Sequence, residues 1–305
     1  MLQGRKRLMN NAKNFVILLL SILVILQSLI LFYLLRRPAP AVRRPSAVTR
    51  TAAKPGGKFP AVFPGEVKPL PPAGEEAPVP VPAVGKIALI IDDWGYSLKN
   101  KSIITDNNYH LTLAILPFQE YSKKVAELAH FHGKEVIIHM PMEPLHKEQY
   151  GLEANTLLTT MNASQIVHIL DKAFSEIPYA KGINNHMGSK ATGDARMMRI
   201  VLGYLKDRDL FFVDSMTAPK SIARSVAKTL HEKFASRDVF LDNSTDPASI
   251  REQLMKLAHL ARQNGVAVGI GHDRPNTIAV LKEMIPFLQR QGYEFIEVSD
   301  AVKNP

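Results

Sequence analysis

The chain of 305 residues carries 38 Lys and Arg side chains against 28 Asp and Glu, a formal net charge of +10, and no Cys. Residues 1–85 hold 12 basic and 3 acidic side chains, which leaves 26 basic and 25 acidic for residues 86–305. A nearly neutral body without a basic face argues against nucleic acid as a partner, and the lack of Cys excludes disulfides and thiolate metal ligands.

An apolar segment follows a short basic N-terminal tail, residues 1–14. Residues 15–35 contain no charge and only three polar side chains, enough helix to cross about 30 Å of hydrocarbon. A cleaved signal peptide would have a shorter apolar core, of roughly 7 to 15 residues, and a small-residue cleavage site. Because Arg36 and Arg37 follow instead, we predict an uncleaved transmembrane anchor.

The orientation of this anchor depends on two opposing arguments. Four basic residues precede the span and six follow it within about 20 residues, so the positive-inside rule slightly favours a cytoplasmic body. The function argued below requires a substrate outside the inner membrane. We therefore predict a single-pass protein of the inner (cytoplasmic) membrane whose body lies on the periplasmic or extracytoplasmic side.

Residues 36–85 form a proline-rich linker. They contain 12 of the 21 prolines of the chain, a composition that cannot build a core and favours an extended, partly polyproline II spacer. An unstructured tether is the simpler interpretation, and a ligand for a proline-recognising domain is the alternative.

Apolar runs alternate with helical patterns along the body, residues 86–305. Strands are predicted at 87–91, 111–116, 135–140, 181–185, 210–214, 239–242, 266–271 and 294–298. Helices are predicted near 97–105, 119–132, 163–176, 194–208, 220–234, 247–264 and 276–291. Seven or eight β–α units in succession indicate an α/β fold, either a parallel barrel or a doubly wound sheet. Of the two we expect the barrel, which need not be complete.

Ionisable residues stand where the predicted strands end. Asp92 and Asp93 close the first apolar run, and other strands are followed by His139, Asp214 and His272. The carboxyl ends of parallel strands share one face, so these side chains can converge. Of two paired carboxylates, one can bind a cation while the other acts as base on a water that the metal has acidified. An N-cap pair is the alternative, but the pattern favours a metal-assisted hydrolase.

Two further residues are candidate ligands of such a metal. Glu143 follows His139 by four residues, across Pro141, and His186 lies in a polar turn, residues 184–189. Pro141 disfavours a regular helix between His139 and Glu143, which weakens Glu143 as a ligand. The other seven histidines lie in helical patterns or near element ends, where structural or solvated roles are expected.

The motifs taken together resemble a known family. They are Ile91-Asp92-Asp93-Trp94-Gly95, the segments 139–144, 184–189, 212–215 and 240–243, and Ile270-Gly271-His272. Their types and order resemble the polysaccharide deacetylase (NodB-like) superfamily, and more closely its divergent YibQ-like branch, over roughly residues 86–300. The resemblance implies a distorted (β/α) barrel and a hydrolase that removes N- or O-acetyl groups from glycans.

The resemblance also implies roles for single residues. Asp92 would be the base and Asp93 a metal ligand, while His272 would be the general acid, oriented by Asp214 or another carboxylate. The usual pair of metal histidines four residues apart is not intact, because Glu143 follows His139 at that spacing.

For the third ligand we expect His186, with Glu143 as the alternative, and the ion is a divalent metal, for which zinc is the expectation. Trp94, Asn184 and Asn185 are the predicted substrate-binding residues, and Trp94 and Tyr96 could either stack on a sugar or pack under a loop. The expected partner is a polysaccharide or peptidoglycan-type glycan.

Two other functions remain open at this point. A catalytically degenerate glycan-binding or envelope interaction protein could retain this fold without turnover, because the second histidine is lost and the third motif is altered. A metal-dependent hydrolase acting on a different bond would share the site and differ only in its substrate.

Overall fold

A parallel β-sheet organises residues 83–304, the part of the chain that the computed structural model describes. Its nine strands are β1 (Gly85–Trp94), β2 (Thr112–Ile115), β3 (Glu135–Met142), β4 (Ala180–Met187), β5 (Phe211–Asp214), β6 (Phe234–Ser236), β7 (Val239–Phe240), β8 (Val266–His272) and β9 (Tyr293–Ile296). The hydrogen-bonded order is β6-β5-β4-β3-β2-β1-β8-β7, and β9 also pairs with β1. The predicted tail and anchor, and the linker up to residue 82, lie outside the described residues.

The sheet curves into a partial barrel. Its two outermost strands, β6 and β7, are consecutive in the chain and joined by only Arg237 and Asp238. Such a short connection requires the sheet to bend until its two edges approach each other. In residues 83–304 these edges form no strand pairing, so the predicted incomplete (β/α) barrel is confirmed as a half-barrel of parallel strands.

Strand residues alternate between two apolar layers. In β1, Ile87, Leu89 and Ile91 pack in the layer shared with the surrounding helices, whereas Ala88 and Ile90 pack in the inner layer formed by strand residues and the C-terminal helix. This period of two is that of any β-strand. Strands buried on both faces read as continuous apolar runs, which is why the sequence revealed them.

Seven helices accompany the strands. They are α1 (Ser122–Phe131), α2 (Ala163–Glu176), α3 (Ala195–Lys206), α4 (Ala223–Leu230), α5 (Pro247–Asn264), α6 (Pro275–Arg290) and α7 (Val298–Ala301). The bounds of α2 and α5 agree with the prediction because both have strong caps: Asn162 and Gln165 form a capping box, and Asp246 accepts a hydrogen bond from the Ser249 amide. Within residues 83–304 no helix is both long and apolar enough to span a bilayer.

Two predicted helices differ from the structure. The helix expected at 97–105 is only a three-residue 3₁₀ helix, Lys101–Ile103. The helix expected at 220–234 ends at Leu230, because His231 adopts a left-handed conformation, with φ of 55°. Residues Phe234–Ser236, of which Phe234 was predicted to belong to this helix, form strand β6 and pair with β5. Three residues are too short a run for hydrophobic periodicity to identify as a strand.

Glu232 is a buried acid in the turn between α4 and β6. Its side chain is 2% exposed, and Oε1 has no hydrogen-bond partner among the described residues. Burial raises the pKa of Glu232 to about 7, and the nearby ammonium groups of Lys233 and Lys206 offset this only in part. Glu232 therefore keeps its proton up to about pH 7 in the folded protein. In the unfolded chain, where its pKa is 4.5, Glu232 loses that proton at lower pH.

Stability is accordingly expected to fall as the pH rises from about 4.5 through 7, by up to about 3 kcal/mol from this group. Glu232→Gln should remove this loss, so that the variant is more stable than the parent at pH 8 and closer to it at pH 5. The free energies of unfolding of parent and variant are measured by denaturant unfolding, followed by the fluorescence of Trp94, the single tryptophan. Glu252→Gln, at an exposed position of α5, is the matched control. The same pH dependence in parent and Glu232→Gln would contradict the assignment.

Candidate metal centre

Strand parity brings five polar side chains to the inner face at the carboxyl end of the sheet. Ile90, Ile137 and Ile270 belong to the inner layer, so the residues two positions further along, Asp92, His139 and His272, lie on the same side of their strands. Ile183 faces the helices, which places Asn184 and His186 on the inner side as well. The registers align Asp92 with His272 and His139 with Asn184 in neighbouring strands.

Asp93 joins this group through an irregularity in β1. Consecutive residues of a regular strand point to opposite faces, yet Asp92 Oδ2 and Asp93 Oδ1 lie 3.7 and 3.4 Å from His139 Nε2. The pairing of β1 with β2 shifts between Ile91 and Trp94, and Asp93 has a φ of 64°. A non-glycine residue in this conformation costs about 1–3 kcal/mol, and such strain is common at functional sites.

Asp93, His139 and His186 form a compact set of donors. Asp93 Oδ1 lies 3.2 Å from His186 Nδ1, and His186 Nδ1 lies 3.0 Å from His139 Nε2. Together with the contact between Asp93 and His139, the three atoms fall within 4.8 Å of one another. Burial raises the pKa of Asp93, but the two imidazoles outweigh it and hold that pKa well below its ordinary value.

This set fits a small divalent cation. Ligand atoms at about 2.0–2.2 Å around a tetrahedral ion are separated by roughly 3.3 Å, close to the 3.0, 3.2 and 3.4 Å observed. Asp93 Oδ1 is buried without a hydrogen-bond partner among the described residues, as expected of an atom reserved for another ligand. One carboxylate and two imidazoles leave an open position, which is the pattern of catalytic zinc sites.

Asn184 fixes the orientation of both His139 and Asp92. Its Nδ2 donates to Asp92 Oδ1 at 2.8 Å, and its Oδ1 lies 2.8 Å from His139 Nδ1. A carboxylate can only accept, so the amide oxygen must face His139, and Nδ1 of that imidazole must be the protonated nitrogen. In the neutral ring, the lone pair of Nε2 then points to Asp93 and His186. Although burial lowers the pKa of His139, Asp92 and Asp93 raise it to about 9.

Asp92 lies beside the three donors without belonging to them. Its side chain is 2% exposed. Burial raises the pKa of Asp92, while His139 and His272 act in the opposite direction. A buried carboxylate of raised pKa next to a cation site is suited to accept a proton.

His272 forms a dyad with Asp242. Its Nδ1 lies 2.8 Å from Asp242 Oδ1, and its backbone N–H donates to Asp242 Oδ2 at 2.9 Å. Thr277 donates to the same oxygen at 2.6 Å. Burial raises the pKa of Asp242, but the hydrogen bonds and charge of His272 and the hydrogen bond of Thr277 outweigh burial and hold that pKa below its ordinary value. The other ring nitrogen, Nε2, faces the centre, 4.0 Å from Asp93 Oδ2.

Asp214 or another carboxylate was expected to orient His272, and the carboxylate that contacts its ring is Asp242, not Asp214. Val213 faces the inner layer, so Asp214, one residue later, points to the other side of β5. Its carboxylate accepts hydrogen bonds from the Met216 amide and the Ser221 hydroxyl. Asp242 had a signal of the same kind in the sequence, since it closes the run 239–242 that was predicted as a strand.

Glu143, the alternative third ligand, is engaged elsewhere. Its Oε2 accepts from the Thr159 amide and hydroxyl, both at 2.6 Å, and its Oε1 lies 2.9 Å from Lys190 and 3.2 Å from Lys147. Burial raises the pKa of Glu143, but these donors lower it to about 2. Glu143 therefore closes the loop between β3 and α2 and is not one of the three clustered donors.

Glu143→Gln should consequently leave the metal content of the purified protein unchanged. The variant should lose about 1–3 kcal/mol of stability, because an amide cannot satisfy two ammonium groups and two Thr159 donors as a carboxylate does. Elemental analysis and denaturant unfolding measure the two effects. A Glu143→Gln protein that folds like the parent but purifies without metal would return Glu143 to the ligand set.

The three predicted substrate-binding residues are buried and occupied. Trp94 is 0% exposed and packs in the helix-side layer, so its ring cannot stack on a sugar. Asn184 holds Asp92 and His139, as described above. Asn185 points to the helix side of β4, where it accepts from the Ser215 amide and donates to the Met187 carbonyl. Of the two roles expected for Trp94, its burial favours packing, whereas substrate binding by Asn184 and Asn185 stays a prediction.

Tyr96 is an aromatic residue near the centre that reaches solvent. Its side chain is 49% exposed, and its hydroxyl donates to Glu153 of the loop between β3 and α2. Gln119 donates to the other oxygen of Glu153 at 2.9 Å. Burial and the hydrogen bond to Glu153 raise the pKa of Tyr96, and the charge of Asp93 contributes. Tyr96 is thus a partly exposed aromatic residue within reach of the charge of Asp93.

Comparison with known proteins gives consistent similarities. A family model described as divergent polysaccharide deacetylase matches residues 89–302. The uncharacterized protein YibQ of Escherichia coli (strain K12) is 40% identical over 201 residues, which cover 66% of this chain and 62% of the relative. An uncharacterized protein of Haemophilus influenzae (strain ATCC 51907 / DSM 11121 / KW20 / Rd) is 38% identical over 200 residues, 66% of this chain and 71% of that protein. The match therefore spans less than two thirds of the length of the Escherichia coli relative.

The fold has a solved counterpart. The crystal structure of an uncharacterized protein from Agrobacterium tumefaciens C58 superposes with a TM-score of 0.68 and 22% sequence identity. The superposition covers 72% of this chain and 90% of that one.

Proposed function

The chain belongs to the divergent polysaccharide deacetylase family, and from that premise we propose that it is a metal-dependent hydrolase that removes acetyl groups from a cell-envelope glycan. The observation that carries the proposal is that Asp92 and His272 both lie beside the Asp93–His139–His186 cluster. A base, a cation site and an acid at one strand end are the parts that acyl transfer to water requires.

The metal ligands would be Asp93, His139 and His186, and zinc is the ion that this donor set favours. When bound, the ion supplies a Lewis acid that lowers the pKa of a water and polarises the acetyl carbonyl. Asn184 holds His139 in the tautomer that leaves Nε2 available, a contribution that in other metal sites changes affinity by 10- to 100-fold.

Asp92 takes the proton of the attacking water. Its burial excludes bulk solvent and raises its pKa, and the hydrogen bond from Asn184 directs its second oxygen, Oδ2, toward the centre. His272 gives a proton to the leaving amine or alcohol through Nε2, while Asp242 fixes Nδ1 and stabilises the charged imidazole. Tyr96 offers a ring face on which a sugar can stack.

The direct test is acetate release by the purified full chain from acetylated chitooligosaccharides and peptidoglycan fragments. We expect release that stops on chelation and returns with zinc. A metal-loaded protein that releases no acetate from any of these substrates would favour the degenerate, glycan-binding alternative. The observation in favour of that alternative is that no histidine stands four residues after His139. Glu143 occupies this position and binds two lysines.

For the localisation we propose that residues 15–35 anchor the protein in the inner membrane with the body outside the cytoplasm. The support is the uncharged length of this segment and the glycan substrate proposed above. Protease added to spheroplasts should then digest the body and spare a cytoplasmic control protein. Protection of the body would mean that the basic residues after the span set the topology, and would argue against an envelope substrate.

A further inference from the structure

A cavity opens at the same end of the sheet as the metal centre. Its volume is about 690 Å³, within the range of small-molecule sites. The loops that follow β3, β4 and β5 supply its walls, through Leu145, Lys190 and Lys220 among others. Lys190 follows His186 by four residues and Leu145 follows His139 by six, so the cavity and the metal centre are built on the ends of the same two strands, β3 and β4.

The ionic groups at this cavity leave it positive. Lys190 and Lys147 share one carboxylate, that of the buried Glu143, so that one of their two charges is uncompensated. Lys220 is exposed and forms no salt bridge with any residue of the described range. An anion that enters the cavity would therefore meet the ammonium group of Lys220 and, beside it in the wall, that of Lys190, which also donates to Glu143.

The single acid in the cavity wall does not cancel this charge. Asp194 caps helix α3, where its Oδ1 accepts a hydrogen bond from the Met197 amide at 2.7 Å. At the rim, Arg196 donates to the Thr159 carbonyl at 2.6 Å and adds a further positive group. Leu145, Ala218 and Pro219 provide apolar surface between these charges. Positive groups beside apolar carbon suit a ligand that carries both a carboxylate and a carbon skeleton.

We propose that this cavity binds a carboxylate-bearing sugar residue of the glycan, next to the residue whose acetyl group is removed. The inference rests on the proposed function for the identity of the polymer. It adds that the substrate is anionic and that Lys220 and Lys190 recognise its acid group. A neutral chitin-like polymer would leave the ammonium group of Lys220 without an anionic partner.

The test uses two disaccharides that differ only in charge: N-acetylglucosaminyl-N-acetylmuramic acid and its carboxamide. Calorimetric titration of the full chain in detergent, at low salt, should show about tenfold tighter binding of the acid, as expected for one charge-assisted hydrogen bond. Lys220→Ala should abolish most of this preference, and Lys220→Arg should retain it. Lys256→Ala, at an exposed position on α5, is the matched control and should behave as the parent.

Equal affinity of the parent for the acid and the carboxamide, or binding of neither, would overturn the proposal. A preference for the acid that survives Lys220→Ala would overturn the assignment of Lys220. The outcome is separable from that of the hydrolase proposal, because binding is measured without turnover. A Lys220-dependent preference in a protein that releases no acetate would leave the anionic subsite standing and remove only the hydrolysis.

Discussion

Asp92→Asn is expected to lower the rate of acetate release by roughly a thousandfold, the range in which removal of a general base falls. The asparagine keeps the shape of the side chain, and its oxygen can still accept the hydrogen bond from Asn184. Metal content and unfolding free energy should therefore stay close to those of the parent. Acetate release, elemental analysis and denaturant unfolding of the same preparations check the three expectations.

The matched control is Asp214→Asn, which changes another strand-end aspartate in the same way. Because Asp214 faces Ser221 on the opposite side of β5, this variant should retain most of the activity. Parent-like turnover by Asp92→Asn would refute the assignment of the base and leave the hydrolase class intact. Loss of activity in Asp214→Asn alone would restore the role first expected for that residue.

His272→Ala should act on the same step. Its loss removes the proton donor for the leaving group, and with it the ring that Asp242 orients. Since Asp92 and His272 serve one acyl-transfer cycle, the double variant should be little slower than the slower single variant. Additive losses in the double variant would mean that the two residues act in separate steps.

His139→Ala is expected to purify without metal and without activity. His139 is the buried centre of the cluster, where its Nε2 approaches both Asp93 and His186. Loss of one of three protein ligands should weaken zinc binding by at least 100-fold, and His186→Ala should act in the same way. Competition with a chromogenic chelator measures the affinities independently of turnover.

Asn184→Ala should have an intermediate effect on metal binding. Asn184 touches His139 and is not one of the three donors, so its loss should weaken metal binding by about 10- to 100-fold and leave a measurable site. His259→Ala, at an exposed position on α5, controls for the loss of a histidine. If His139→Ala and His186→Ala bind metal as the parent does, the ion lies elsewhere and the cluster is a hydrogen-bonded group only.

The sequence alone determined the main features of the body. Local composition and periodicity are enough to predict buried strands such as residues 87–91 and strongly capped helices such as 163–176 and 247–264. The order of the motifs indicated the family, and the family model confirms it. The ends of the strands also pointed to Asp92, His139 and His272, because parallel strands carry their carboxyl ends to one face.

Only the tertiary structure decided which strand-end residues meet. In the sequence Asp214 and Asp242 both close apolar runs, but Asp214 follows the inward-facing Val213 and points to the helix side, whereas Asp242, two residues beyond the end of β7, binds His272. The irregularity of β1 brings Asp93 to the side of Asp92, against the alternation of a regular strand.

Long-range partners decided the rest. Glu143 is withdrawn from the centre by Thr159 and Lys190, which lie 16 and 47 residues away in the chain, and Trp94 is covered by the helix-side layer. Sequence periodicity specifies the element to which a residue belongs and the face it takes. Hydrogen bonds and packing between distant segments determine whether that side chain is free for a metal, for a substrate or for neither, since most buried polar groups find a partner in the final fold.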